Sequence, residues 1–398
     1  QIPNPGDFCT TYMGGDSVLV TRGQDGKVRA FLNTCSHRGN KVCFAEAGNT
    51  KAFTCNYHGW TYGLNGALVN VPLERDAYKG DIDKSRFGLR PVPRVEEYAG
   101  LVFGCLDPDA VPLMEYLGDM AWYMDTFMQR GIELLGPPLK SVLHCNWKIP
   151  SENFACDVYH VGWTHVAALK LLDGPLSGAA GNVGLPPGDI GIQATTRYGH
   201  GFGAIWESAT TLHRGSAFDD YLKANLPEVT KNLGEWRGKL YRAHWDATIF
   251  PNCSFLYGTN VWKMWHPKGP NETEVWTWAL VEKGMSPELK RRVQKEALRT
   301  FGTAGTFESD DGLNFYACTE TGRGTVAGTG NVMNGMGLGR EGAHPELPGT
   351  VADSNYSEAS ARGFYRFWQE VMSAGSWNDL RGNDSQNGKG RHDERRSA

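Results

Sequence analysis

Two short segments, Cys35-Ser36-His37-Arg38-Gly39 and Cys55-Asn56-Tyr57-His58-Gly59-Trp60, constrain this 398-residue chain more than anything else in it. They read Cys-x-His and Cys-x2-His, with 17 residues between His37 and Cys55. Thiolates and imidazoles are metal ligands by type, and four of them can serve one object only if both loops close on it. β-forming runs flank each loop, so each sits at the tip of a strand pair. The pattern therefore demands a small antiparallel β domain.

Two cysteines and two histidines also suit tetrahedral zinc, and on the residues alone that reading stays open. Zinc sites usually keep like ligands together, however, whereas each loop here supplies one thiolate and one imidazole. The mixed set suits a [2Fe-2S] cluster with thiolates on one iron and imidazoles on the other, a Rieske centre, with a potential above that of plant-type ferredoxins. Such a cluster takes up and passes on an electron. The remaining cysteines, Cys9, Cys43, Cys105, Cys145, Cys156, Cys253 and Cys318, are singles without metal spacing and read as buried thiols.

A second constellation lies in Asn153-Phe154-Ala155-Cys156-Asp157-Val158-Tyr159-His160-Val161-Gly162-Trp163-Thr164-His165. With one distant carboxylate, His160 and His165 would hold a mononuclear iron on one face and leave positions open for dioxygen and water. Asp157 and His160, at i and i+3, share a helix side. His160 and His165, at i and i+5, would point about 140° apart on a straight helix. The spacing thus predicts a break or widening near residues 161–164, helped by Gly162. The acidic run Phe307-Glu308-Ser309-Asp310-Asp311-Gly312 could supply the carboxylate, although such a cluster alone is more often an exposed helix cap.

Composition excludes more than it assigns. Hydrophobic content of 40% and a formal net charge of -4 describe an ordinary globular chain with room for two domains and no footprint for nucleic acid. Apolar runs fall short of a membrane span. Nine scattered cysteines fit a reducing compartment, so a soluble cytoplasmic protein is the expectation. No strand-linked Gly-x-Gly-x-x-Gly offers a nucleotide site, so electrons must come from other proteins. The start at Gln1 reads as part-way into a domain.

The predicted class is α+β. Strands are expected at 18–21 and 28–32 about Gly23 to Gly26, at 52–55, 60–62 and 68–71 with Asn65-Gly66 as a turn, and at 101–103. These make a β domain over 1–110. A larger domain over 111–377 follows, an antiparallel sheet flanked by helices. Its helices are predicted at 117–128, after Pro150, at 289–301 and at 357–372, and its strands at 141–147, 248–255, 261–265 and 275–281, with a turn over 267–271. Phe364, Tyr365 and Trp368 read as core packing. The glycine- and proline-rich stretch 174–203 reads as a loop over a pocket entrance, and 378–398 as a polar, disordered tail. His144, His200, His213, His244 and His266 lack ligand spacing and read as structural.

Taken together, Cys-x-His-Arg-Gly with Cys-x2-His-Gly-Trp, Asp-x2-His-x4-His and Phe-Glu-x-Asp-Asp-Gly resemble the large (α) subunits of Rieske non-haem iron aromatic-ring-hydroxylating dioxygenases along nearly the whole chain. The closest character is that of the naphthalene, phenanthrene and pyrene type, although the family has N-terminal residues that this chain lacks. The resemblance implies that Cys35, His37, Cys55 and His58 bind the cluster. His160, His165 and Asp311 would bind the iron, and Asp157 would link an iron histidine to a cluster histidine of the neighbouring subunit. Asn153, Phe154, Phe301 and Phe307 match positions around the substrate, although each could instead be plain core, Phe301 as readily as not. The implied reaction adds both atoms of O2 to an aromatic hydrocarbon to give a cis-dihydrodiol. Electrons from NAD(P)H would arrive through a reductase and a ferredoxin, and a small β subunit would complete an α3β3 assembly, or the α subunits alone an α3 ring. The same ligands would serve a Rieske monooxygenase or demethylase on a polar aromatic. An electron-transfer or zinc-stabilised binding protein would carry no mononuclear iron.

Overall fold

Val18, Leu19 and Val20 are buried in succession because both faces of their strand are covered. Leu19 packs with Phe8 and Phe31 on one side, while Val18 and Val20 meet Ile2 and Val92 on the other. This strand, β2 (Asp16–Arg22), pairs antiparallel with β1 (Asp7–Met13) and β3 (Val28–Leu32), and β4 (Ala47–Asn49) borders β1. The strands β5 (Ala52–Thr54), β6 (Thr61–Gly63) and β7 (Leu68–Asn70) make a second sheet, with Asn65-Gly66 between the last two. β8 (Arg94–Tyr98) pairs with β9 (Leu101–Cys105). This computed structural model describes residues 1–169, 190–330 and 332–382, and these strands fill the first of its two units, Gln1–Ala110.

The second unit, from Val111 onward, is built on an antiparallel sheet. Its described strands are β10 (Ile132–Leu143), β11 (Gly191–Thr195), β12 (Gly201–Ile205), β13 (His244–Ile249), β14 (Cys253–Tyr257), β15 (Val261–Gly269), β16 (Glu272–Glu282), β17 (Gly342–Ala343) and β18 (Thr350–Ala352). They run in the order β10-β16-β15-β14-β13-β12-β11-β18-β17. Helices α1 (Asp119–Met128), α2 (Lys148–Asn153), α3 (Val161–Thr164), α4 (Val166–Leu169), α5 (Ala217–Leu233), α6 (Glu235–Tyr241), α7 (Pro287–Phe301), α8 (Thr306–Gly322), α9 (Ala359–Ser373) and α10 (Trp377–Gly382) accompany it. Ser286 accepts the Leu289 amide at the start of α7, as its cap-then-proline sequence predicts. Phe364 of α9 is buried, with Tyr365 and Trp368 packed beside it. No helix among the described residues is long and apolar enough to cross a membrane.

Several boundaries differ from expectation, each for a local reason. The strand expected at 141–147 begins at Ile132, because Gly136-Pro137-Pro138 forms a register shift inside β10 instead of a break. The single run at 248–255 is two strands parted at Phe250-Pro251-Asn252, and β15 continues to Gly269 through the expected turn. The helix expected at 117–128 begins at Asp119, after a short helix Leu113–Leu117 that stops at Gly118. Of the tail expected from 378, residues 378–382 belong to the helix Trp377–Gly382, and 383–398 lie outside the described residues.

The largest correction concerns 174–203. Residues 174–189 lie outside the described residues, but β11 and β12 are buried strands, not a surface loop. Their glycines permit close packing: a Cβ on Gly203 would stand 1.8 Å from the Cys156 sulfur.

Candidate active site

The two loops of the β unit repeat one turn. The Gly39 amide donates to the Cys35 carbonyl and the Cys35 amide to the Asn40 carbonyl, at 2.9 and 2.8 Å. Gly59, Cys55 and Trp60 make the same pair of bonds at the same distances. Both glycines have φ of 74°, where a side chain would be strained. His37 and His58 meet edge to face at 4.4 Å, and His37 stacks on Trp60. Cys35 and Cys55 are buried free thiols, and Cys35 Sγ lies 3.2 Å from the Tyr62 hydroxyl. Burial pushes the Cys55 thiol up, but amides of Tyr57 and His58, the Asn40 side chain and Cys35 outweigh it and hold its pKa below the ordinary value. The His37 Nδ1 is buried and lacks a hydrogen-bond partner. A pair of thiols, a pair of imidazoles and an unmatched ring nitrogen fit a two-iron cluster.

The iron segment is interrupted, as its spacing requires, at the two ends of the expected span. Residues Val161–Thr164 form the helical turn α3, and the interruptions flank it. His160 is its N-cap and His165 its C-cap, so a single turn separates the imidazoles without a continuous helix. Upstream, α2 stops at Asn153 and Cys156 takes φ of 95°, a rare conformation for a residue with a side chain. Gln193 of β11 holds that position by donating to the Cys156 carbonyl at 2.6 Å, while Gly203 of β12 leaves room for the sulfur. None of these three residues had been singled out for the site.

His160 and His165 face each other with Nε2 atoms 3.2 Å apart. Asp311, buried in α8, places Oδ1 3.3 Å from His160 Nε2 and 3.1 Å from His165 Nε2. The acid run is therefore the interior of a helix and not an exposed cap. That oxygen makes no hydrogen bond of proper geometry although it is buried. Ligands about 2.1 Å from one ion and at right angles stand about 3.0 Å apart, close to this triangle. Among the described residues this is the trio of His, Cys, Asp or Glu whose ligand atoms converge for a metal. The set fits a facially bound ion.

The outer ring nitrogens are also held. His160 Nδ1 contacts the Asp157 carbonyl, with the Asp157 carboxylate and the Asn153 amide each 3.4 Å away. A proton on Nδ1 leaves the Nε2 lone pair free for an ion. His165 Nδ1 lies 3.3 Å from Asp310, so the two adjacent acids divide their work. Burial opposes ionisation of Asp311, yet His160 and His165 hold it down at about 2. Burial likewise disfavours a charged His160, but Asp157 and Asp311 raise its pKa well above the ordinary value. A bound cation would take the place of the proton that these acids otherwise keep on His160.

An apolar cavity of about 900 Å³, including space open to solvent, adjoins the trio. Asn153, Phe154, Phe301 and Phe307 all line it. Phe301 stacks on Phe307 at 5.5 Å, and Phe307 meets the His165 ring edge to face. Beneath them Lys263 is fully buried and pairs with Glu308 at 2.8 Å, while also donating to Thr277 and the Phe301 carbonyl. The pair ties the end of α7 to α8 one turn before Asp311. A lysine within a strand carried no sign of this role. His244, which lacks ligand spacing in the sequence, also lines the cavity.

Comparison with known proteins adds two family matches. The family described as Ring hydroxylating alpha subunit (catalytic domain) matches residues 113–374, and the Rieske [2Fe-2S] domain matches 1–93. The chain is 43% identical over 382 residues to the large oxygenase component of the naphthalene 1,2-dioxygenase system of Pseudomonas putida, covering 94% of this chain and 85% of that one. It is 42% identical over 382 residues to the large oxygenase component of the 2,4-dinitrotoluene dioxygenase system of Burkholderia sp. (strain RASC), covering 94% and 84%. A solved structure of a naphthalene 1,2-dioxygenase variant bound to phenanthrene superposes with a TM-score of 0.93 at 42% identity, covering 96% of this chain and 87% of that one.

Proposed function

This chain belongs to the ring-hydroxylating α-subunit family, and from that premise we propose that it adds both atoms of dioxygen to a polycyclic aromatic hydrocarbon, giving a cis-dihydrodiol. It is the α subunit of an aromatic ring-hydroxylating dioxygenase with a Rieske cluster and a mononuclear iron. The observation that carries the proposed reaction is the trio His160, His165 and Asp311 opening on a cavity walled by Phe154, Phe301 and Phe307. When bound, the two iron groups supply dioxygen activation and stored electrons.

The chain's own residues do the rest. Cys35, His37, Cys55 and His58 hold the cluster, and their repeated turns fix its four ligands. His160, His165 and Asp311 would hold the iron, and all three line the cavity. Asp157 fixes the His160 ring through its carbonyl and carboxylate, and its side chain remains 37% exposed. That exposure supports a link to a cluster histidine of a neighbouring subunit. The phenyl walls hold a flat arene and exclude bulk water from it.

The reaction needs electrons from outside the chain, and the relatives are named as components of systems. A ferredoxin and an NAD(P)H-dependent reductase are the inferred donors, with a small β subunit completing an α3β3 assembly, or α3 without it. Nine free cysteines are in keeping with work in the cytoplasm. The deciding experiment supplies the reconstituted system with naphthalene under isotopically labelled dioxygen. A cis-diol carrying two labelled oxygens is expected; a product with one would instead establish a monooxygenase.

A further inference from the structure

The cavity wall carries a second polar group outside the iron trio. His244 and Asp246 are residues i and i+2 of β13, so they share one face of the strand. Both line the cavity, and each side chain is 16% exposed. His244 Nε2 and Asp246 Oδ1 are 3.1 Å apart, so the imidazole N–H orients the carboxylate. Gly258 clears space for the ring, since a Cβ there would come within 2.6 Å of His244 Nδ1. Ser208 and Thr211 line the same cavity. The Ser208 hydroxyl donates to the Ile205 carbonyl, which leaves its lone pairs to accept.

A carboxylate facing a hydrocarbon gives up hydration that the single bond from His244 only partly replaces. A cavity shaped for bare arenes alone would place an apolar side chain at Asp246, as it does at Leu256 on the neighbouring strand. We infer that His244 and Asp246 form a recognition point for an arene bearing a hydrogen-bond donor, such as a hydroxyl or hydroxymethyl group, and so determine which ring edge meets the iron. The inference rests on the cavity being the substrate site. Asp246 accepts the donor's hydrogen, and His244 positions Asp246. With a bare arene, water occupies the place of the substituent.

The test uses the complete enzyme with its electron donors and two substrates, naphthalene and 2-hydroxymethylnaphthalene. Asp246→Val should lower kcat/KM for the hydroxymethyl compound about 10-fold or more relative to naphthalene, the size of one lost hydrogen bond to a charged group. The wild type should give one predominant diol regioisomer from it, and the variant a mixture. Asp246→Asn, which keeps the shape, should fall between the two. Equal losses on both substrates with unchanged regiochemistry would mean a purely structural role and overturn the inference, as would no change at all. Should neither variant fold, the wild type still decides, because a KM for the hydroxymethyl compound no lower than that for naphthalene also overturns it. Naphthalene turnover by the wild type tests the dioxygenase reading separately.

Discussion

The two metal-binding regions reach their geometry by opposite routes. In the β unit, all four proposed cluster ligands lie within two short loops, and each loop is closed by the same pair of backbone bonds about a left-handed glycine. In the second unit, the proposed iron ligands come from one interrupted segment and from a helix about 150 residues later in the chain. Supports from β11, β12 and β15 hold them, through Gln193, Gly203 and Lys263. A site closed by local turns needs little from its surroundings; one assembled across a sheet inherits the stability of that sheet.

The largest expected effect separates the two sites outright. Asp311→Ala should reduce mononuclear iron to near zero and turnover below detection, while the visible spectrum of the cluster persists. Iron analysis beside that spectrum reads both. Loss of the cluster in the same variant would break the contrast, because it would make the local loops depend on the distant helix.

A smaller effect should follow from the buried pair beneath the phenyl walls. Lys263→Met leaves Glu308 without its counter-charge, and breaking such a pair from one side costs about 3–5 kcal/mol. Glu308 is already pushed toward its neutral form by burial, with Lys263 opposing that shift. The denaturant midpoint of the catalytic unit should fall, and iron occupancy should fall with it. Adding Glu308→Leu should recover most of the stability, since it removes the orphaned acid. If Lys263→Met alone left both readings unchanged, the pair would have no part in holding α8.

What the chain disclosed before its fold was known divides along the same line. The hairpin at Asn65-Gly66 and the cap at Ser286 depend on residues near in sequence, and they could be read there. The strain at Cys156 could not, because it exists only where Gln193 and Gly203 arrive from another part of the sheet. The same glycines that made the described part of 174–203 resemble a loop are what let two strands pass beneath the iron segment. The i,i+5 spacing did require an interruption, but packing and not Gly162 decided where it fell. Asp310 and Lys263 were ordinary surface types by composition, and only burial and proximity give them their roles.

Acid should expose the same contrast at smaller cost. His200 closes the turn into β12; its Nε2 donates to the Tyr116 carbonyl and its Nδ1 accepts the Phe250 amide, so both nitrogens are engaged only in the neutral ring. Burial pushes its pKa down to about 4. The unfolded chain, titrating near 6.5, therefore binds more protons between those values. Stability from this residue is complete above about pH 6.5 and is lost as pH falls toward 4, at about 1.4 kcal/mol per unit. His213 and His266, also held at about 4 by burial, add to the slope. His200→Gln offers a donor and an acceptor without a titrating charge, so the denaturant midpoint of the catalytic unit should fall less steeply with acid by one histidine's share. An unchanged slope would mean that β12 is secured independently of His200. A flatter one, with the cluster spectrum steady across the same range, would place the acid-sensitive point in the strands that support the iron segment.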